Sequence, residues 1–140
     1  MDFINELILK DENEINEMSP LTWAYVGDCI YEAYIRTYLS NKTNLNSHKL
    51  HILSIKYVKA NAQANILKQL DLTDDEKEIV RRGRNTENHH LPKHATHEEY
   101  MYSTAFEALI GYLFLTKNEK ELKRILNQCI ELVEKEQEEK

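Results

Sequence analysis

Two stretches of this sequence set acidic side chains into an otherwise apolar background: WAYVGDCIYEAYIR (23–36) and YSTAFEALIGYLF (102–114). Both have helical spacing, and each holds a glycine, where alanine would be better by about 1 kcal/mol in a helix interior. Gly111 lies one turn after Glu107 on the same face, and Gly27 directly precedes Asp28, with Ala24 one turn back. Close helix–helix approach is a physical reason to keep such glycines. If the two helices cross there, Asp28 and Glu107 meet. Carboxylates brought together in apolar surroundings repel unless positive charge lies between them. A divalent, oxygen-preferring cation such as Mg²⁺ suits that position, because it takes one or two carboxylates plus water and substrate phosphate. There it can activate water for phosphodiester hydrolysis. The plainer alternative pairs the acids with Arg36 or Lys56. From these residues alone both readings stand.

The elements that must position these groups read as helices throughout. The chain has three glycines, two prolines and no alternating β-branched runs. Phe3, Leu7 and Ile8 mark a first amphipathic helix from Phe3 to about Glu14. Ser19-Pro20 is an N-cap followed by proline at the first helical position. A long helix follows to about Leu39, apolar nearly all the way round and so expected to be central and buried. A polar connection spans 41–46. Helical pattern then runs from Ser47 to about Leu70, with a break near Val58. Thr73 and Glu76 form a capping box for a short helix that Gly83 is expected to end. Residues 84–97 lack a period and read as a long loop of the kind that often carries function. Thr96 and Glu99 open a further helix from about His97 to Lys117, and a last helix from about Glu119 ends in a charged tail, EKEQEEK, expected to fray. The expectation is an all-α single domain over 1–140, of about six or seven helices, with its core in about 18–130.

Composition narrows the function classes. Hydrophobic residues make up 41% and charged residues 30% of the 140 residues, an ordinary globular balance. No apolar run approaches the roughly 18 residues of a membrane span, and the first ten residues do not resemble a signal peptide. A cytoplasmic location without membrane association is expected. Cys29 and Cys129 form neither a zinc pattern nor a disulfide framework and are expected as half-buried thiols. The net charge of −6 argues against a nucleic-acid partner only until its distribution is seen. Residues 1–17 hold six acids against one lysine, and the last ten hold five against two, so the body between them is +2. Phosphate responds to the local potential.

Arg81, Arg82 and Arg84 surround Gly83 and lead into the loop with Asn85, Lys93 and His94. Such a cluster suits phosphate and 2′-hydroxyl contacts along RNA. It also suits plain compensation of a helix dipole. His89, His90, His94 and His97 are spaced too irregularly to favour a zinc site. Glu32, one turn after Asp28, is either an outer partner of a metal or half of an i,i+4 pair with Arg36. The tyrosines and Trp23 read as core or interface packing.

The stretch around Gly27-Asp28 resembles the signature of the ribonuclease III family. TAFEALIGYLFL resembles the family's second motif, in which a carboxylate is followed by Ala-Leu-x-Gly. With RRGRN (81–85) between them and no double-stranded-RNA-binding domain, the pattern is similar to Mini-III, the short bacterial branch, over about residues 18–130. The resemblance implies a ribonuclease III-like fold and Mg²⁺-dependent hydrolysis of double-stranded RNA, Mn²⁺ being a possible substitute. Asp28 and Glu107 would be the catalytic metal ligands, and the products would carry 5′-phosphate and 3′-hydroxyl ends. Arg82, Arg84, Asn85, Lys93 and His94 would face the RNA. It also implies a homodimer with one metal site per subunit, a task in large-subunit ribosomal RNA maturation, and a ribosomal protein as a candidate partner. Full-size members carry two further acids, at the places held here by Ala24 and Thr104. The short branch shares that reduction, and Thr104 could hold a metal-associated water through its hydroxyl. The missing acids keep a rival reading open, a non-catalytic RNA-binding or ribosome-associated module. A hydrolase of small nucleotides is a weaker rival, since it would need no extended basic surface.

Overall fold

A computed structural model of the chain describes residues 2–86 and 95–139. Among the described residues there are eight helices and no strand: α1 (Asp2–Asn5), α2 (Glu12–Glu17), α3 (Pro20–Lys42), α4 (Ser47–Val58), α5 (Ala60–Gln69), α6 (Asp74–Asn85), α7 (His97–Leu115) and α8 (Glu119–Glu138). The start signals read from sequence operate as expected. Ser19 Oγ accepts from the Leu21 amide at 3.2 Å ahead of Pro20. Thr73–Glu76 and Thr96–Glu99 each close both bonds of a capping box. The break near Val58 is real: Lys59 is extended and separates α4 from α5.

Four local expectations are corrected. The N-terminal stretch is not one helix from Phe3 to Glu14. Asp11 accepts from the Glu14 amide at 2.9 Å while Glu14 accepts from the Asp11 amide at 3.1 Å, and this capping box starts α2 afresh. The expected stripe is broken with it, and Phe3 and Leu7 stand 73% and 77% exposed. Gly83 does not stop α6, which continues to Asn85. It is buried instead, and an added Cβ there would lie 3.0 Å from both Ala105 Cα and Ala108 Cβ, so it lets α6 press on α7. The charged tail stays helical through Glu138. The thiols are not half-buried: Cys29 is exposed and Cys129 buried.

The core is organised around α7, which packs on α3, α5, α6 and α8. Ten of its residues are buried, from Ser103 to Phe114. The long helix α3 is central but not enclosed. Trp23, Gly27, Ile30, Tyr31, Ile35 and Leu39 face the core, while Tyr25, Asp28, Cys29 and Ala33 are exposed. The difference is one of partners, since α7 has neighbours on several sides and the Tyr25 face of α3 lies open. Fully buried Trp23 packs edge-on against Tyr112 at 5.0 Å and donates Nε1–H to the Ile15 carbonyl at 2.9 Å. Tyr31 does the same work lower in the core, edge-on to Phe106 at 4.8 Å with its hydroxyl donating to the Tyr57 carbonyl. None of the described helices is long and apolar enough to cross a membrane.

Candidate active site

Helices α3 and α7 cross at their two glycines, main chain against main chain. A Cβ on Gly27 would sit 1.8 Å from the Glu107 carbonyl oxygen, and a Cβ on Gly111 would sit 1.8 Å from the Trp23 carbonyl oxygen. No side chain other than hydrogen fits at either place. The consequence for the acids is direct. The carbonyl that touches Gly27 belongs to Glu107, and Asp28 is the next residue along α3, so the crossing brings the two carboxyl groups together.

The electrostatics follow from that encounter. Burial pushes the Glu107 carboxyl up to about 9, helped by the hydrogen-bonded neighbour Asp28 and the more distant charge of Glu32. The Gln63 side chain on α5 pulls the other way. Asp28 stands at the exposed mouth of the site and Glu107 half-buried behind it. Neither acid forms an ion pair among the described residues, so pairing with Arg36 or Lys56 does not account for them. Arg36 holds Glu32 instead, at 2.9 Å, one turn apart. Glu32 therefore satisfies its plainer reading while still contributing negative charge to the site.

The donor set fits a hard divalent cation. It is all oxygen and rich in negative charge, and without a counter-charge one carboxyl is driven toward its neutral form. Among the described residues no group of three or more His, Cys, Asp or Glu has metal-binding geometry. Asp28 and Glu107 would hold such an ion as a pair, leaving its other positions to water and substrate. Ala24 and Thr104 are both buried, 8% and 6% exposed.

The arginines divide. Arg82 turns inward, donating to the Asn16 carbonyl at 2.8 Å and lying over the Trp23 ring at 4.6 Å. Asn16 is also the acceptor for the Tyr112 hydroxyl at 2.6 Å, so α2 is tied to α6 and α7 together. Arg81 pairs with Glu78. Arg84 lies 6.0 Å from the Tyr102 ring, and Asn85 is exposed at the end of α6. Lys93 and His94, with His89 and His90, lie outside the described residues; His97 is exposed at the start of α7.

Two polar groups of the site escaped sequence reading. Gln63 is 2% exposed and accepts from Ser103 Oγ at 2.6 Å. The signal was present: Gln63 occupies the apolar stripe of α5 with Ile66, Leu67 and Leu70, where a polar residue is out of place.

Comparisons with known proteins give the family. The Ribonuclease III domain model matches residues 21–118, and the chain belongs to the ribonuclease III family as an endoribonuclease of that type. Within the family its relatives are of the Mini-ribonuclease 3 kind. The protein of that name from Thermoanaerobacter sp. is 40% identical over 136 residues, covering 96% of each chain. That of Staphylococcus aureus is 41% identical over 89% of this chain and 96% of its own. A Fusobacterium nucleatum protein solved by X-ray crystallography superposes with a TM-score of 0.76 at 36% identity, covering 82% of this chain and 95% of that one.

Proposed function

We propose that this protein hydrolyses phosphodiester bonds in double-stranded RNA with Mg²⁺ held by Asp28 and Glu107, leaving 5′-phosphate and 3′-hydroxyl ends. The reading rests on one observation above all, the glycine-on-glycine crossing that sets Glu107 against Asp28. A divalent cation, when bound, supplies the charge that activates water and offsets the charge of the phosphate. The chain's own residues do the rest. Asp28 presents its carboxylate at the mouth of the site, where substrate arrives. Glu107 anchors from the buried side, and Thr104, one turn earlier, offers a hydroxyl for a water. Arg84 and Asn85, with Lys93 and His94, position the RNA backbone through phosphate contacts. Arg82 belongs to the RNA-facing cluster in sequence but is committed to Asn16 and Trp23, which favours a supporting role for it.

The active form in this reading is a homodimer. Duplex RNA offers two antiparallel strands, and a two-fold pair of subunits places one cutting centre at each. The open face of α3, with Tyr25 79% exposed beside Asp28, supplies apolar surface for such a contact. The expected substrate is the large-subunit (23S) ribosomal RNA precursor, handled in the cytoplasm, with a ribosomal protein as a candidate partner.

The test is cleavage of a duplex RNA by the full chain with Mg²⁺ against EDTA, beside Asp28→Asn and Glu107→Gln. Wild type should cut only with the metal. Both variants should remain folded and lose activity by on the order of 10³-fold. Binding of duplex without cleavage by wild type would instead favour a non-catalytic RNA-binding module, the reading suggested by Ala24 and Thr104.

A further inference from the structure

We propose that Tyr102 seats Lys68 and Arg84 as a pair of cations that hold the backbone of duplex RNA beside the two carboxyl groups. The inference rests on the reading of this chain as a nuclease of double-stranded RNA, and it adds Lys68 and Tyr102 to the residues that position the substrate. The arginines show why this spot stands apart. Arg36, Arg81 and Arg124 pair with acids, and Arg82 is committed to the Asn16 carbonyl and the Trp23 ring. Arg84 meets neither an acid nor a carbonyl among the described residues, and its guanidinium lies 6.0 Å from the centre of the Tyr102 ring. Lys68 comes to the same ring from α5, with Nζ 5.0 Å from its centre. Helices α5 and α6 both pack on α7, so half-buried Tyr102 on α7 is where cations from two other helices converge.

Neither contact neutralises its cation. The ring carries no net charge, and its attraction for an exposed cation is only about 0.5–1 kcal/mol. Glu98 reaches Lys68 at 3.5 Å, but the two side chains are 50% and 70% exposed, where an ion pair is weak and screened by salt. The local field stays positive for a further reason. Residues 33–70 hold no Asp or Glu, and they carry Arg36 and five lysines. Two like charges drawn to one ring without a full counter-charge make a surface that an anion completes. The ring packs against the core, so the seat is set before the anion arrives and less side-chain freedom is lost on binding. The place selects the anion. Tyr102 precedes Glu107 by five residues on α7, about 7.5 Å along the helix axis. A phosphate held there belongs to a stretch of strand next to the one at the carboxyl groups. Such a contact fixes the register of the duplex without reading its bases.

The experiment measures binding of a fluorescent duplex RNA to the full chain in EDTA, by anisotropy over a series of KCl concentrations, beside steady-state cleavage with Mg²⁺. Lys68→Ala, at an exposed side chain, should lower the slope of log K against log salt by about one, and Lys68→Ala combined with Arg84→Ala by about two. Lys68→Arg should restore the slope. Tyr102→Leu should weaken binding about two- to fivefold, while Tyr102→Phe, which keeps the ring, should bind as wild type does. In cleavage the same losses should appear in KM with kcat little changed, a split that a merely structural role does not produce. A wild-type salt slope in Lys68→Ala, or wild-type binding by folded Tyr102→Leu, overturns this inference and leaves the nuclease reading standing. Wild type that neither binds nor cuts duplex RNA overturns both.

Discussion

The α3–α7 crossing and the basic end of α6 both centre on a glycine, and they use it differently. At the crossing, Gly27 and Gly111 meet carbonyl oxygens of the opposite helix at a hypothetical Cβ distance of 1.8 Å. At the end of α6, a Cβ on Gly83 would meet Ala105 and Ala108 at 3.0 Å, a tight contact but a longer one. The first arrangement sets the distance between two acids. The second only brings a helix nearer to its support, and the arginines around it go separate ways. A glycine reports on a candidate site most directly when what it admits is the main chain that carries one of the site's carboxyl groups.

Substitutions can break or sharpen that contrast. Gly111→Leu should have the largest effect. Its side chain must displace the Trp23 carbonyl, and the loss should exceed about 4 kcal/mol, so little folded protein should be recovered; a normal melting temperature would show that the close approach is not required. Arg82→Ala comes next. It removes the bond to Asn16 and the stacking over Trp23, which should cost about 2 kcal/mol in a denaturant titration. Arg84→Ala should leave stability nearly unchanged and weaken duplex RNA binding, lowering the slope of log K against log salt by about one. An equal loss of stability in both arginine variants would erase the distinction between them. Gly83→Ala should be smallest. Its gain in helix propensity of about 1 kcal/mol is offset by the squeeze against Ala105 and Ala108, for a net change within about 1 kcal/mol by thermal melting.

Much of this molecule is legible from local chemistry. The caps at Ser19, Thr73 and Thr96 are made by side chains next to the backbone groups they satisfy, so their pattern is written in adjacent residues. The same holds for the crossing, because two glycines kept inside helices need an explanation that only close approach supplies. The Asp11–Glu14 capping box is equally local, but the apolar stripe through Phe3, Leu7 and Ile8 suggests continuity across it. What was not legible depends on long-range contact. Nothing in RRGRN separates Arg82 from Arg84; only the distant Trp23 and Asn16 do so. Gln63 stands out in its stripe, but its partner Ser103 is 40 residues away. The enclosure of α7 and the open side of α3 likewise depend on which helices pack where, and apolar residues running around both helices do not distinguish them.

The placement of Glu107 on α7 has a consequence for how the protein fails. A helix covered along most of its length exchanges its amide hydrogens mainly when the whole domain opens. The slowest-exchanging amides should therefore flank the carboxyl proposed to hold the metal, the reverse of enzymes that keep such groups on pliable loops. Loss of the site on heating should coincide with cooperative melting of the domain, with no earlier softening of the centre.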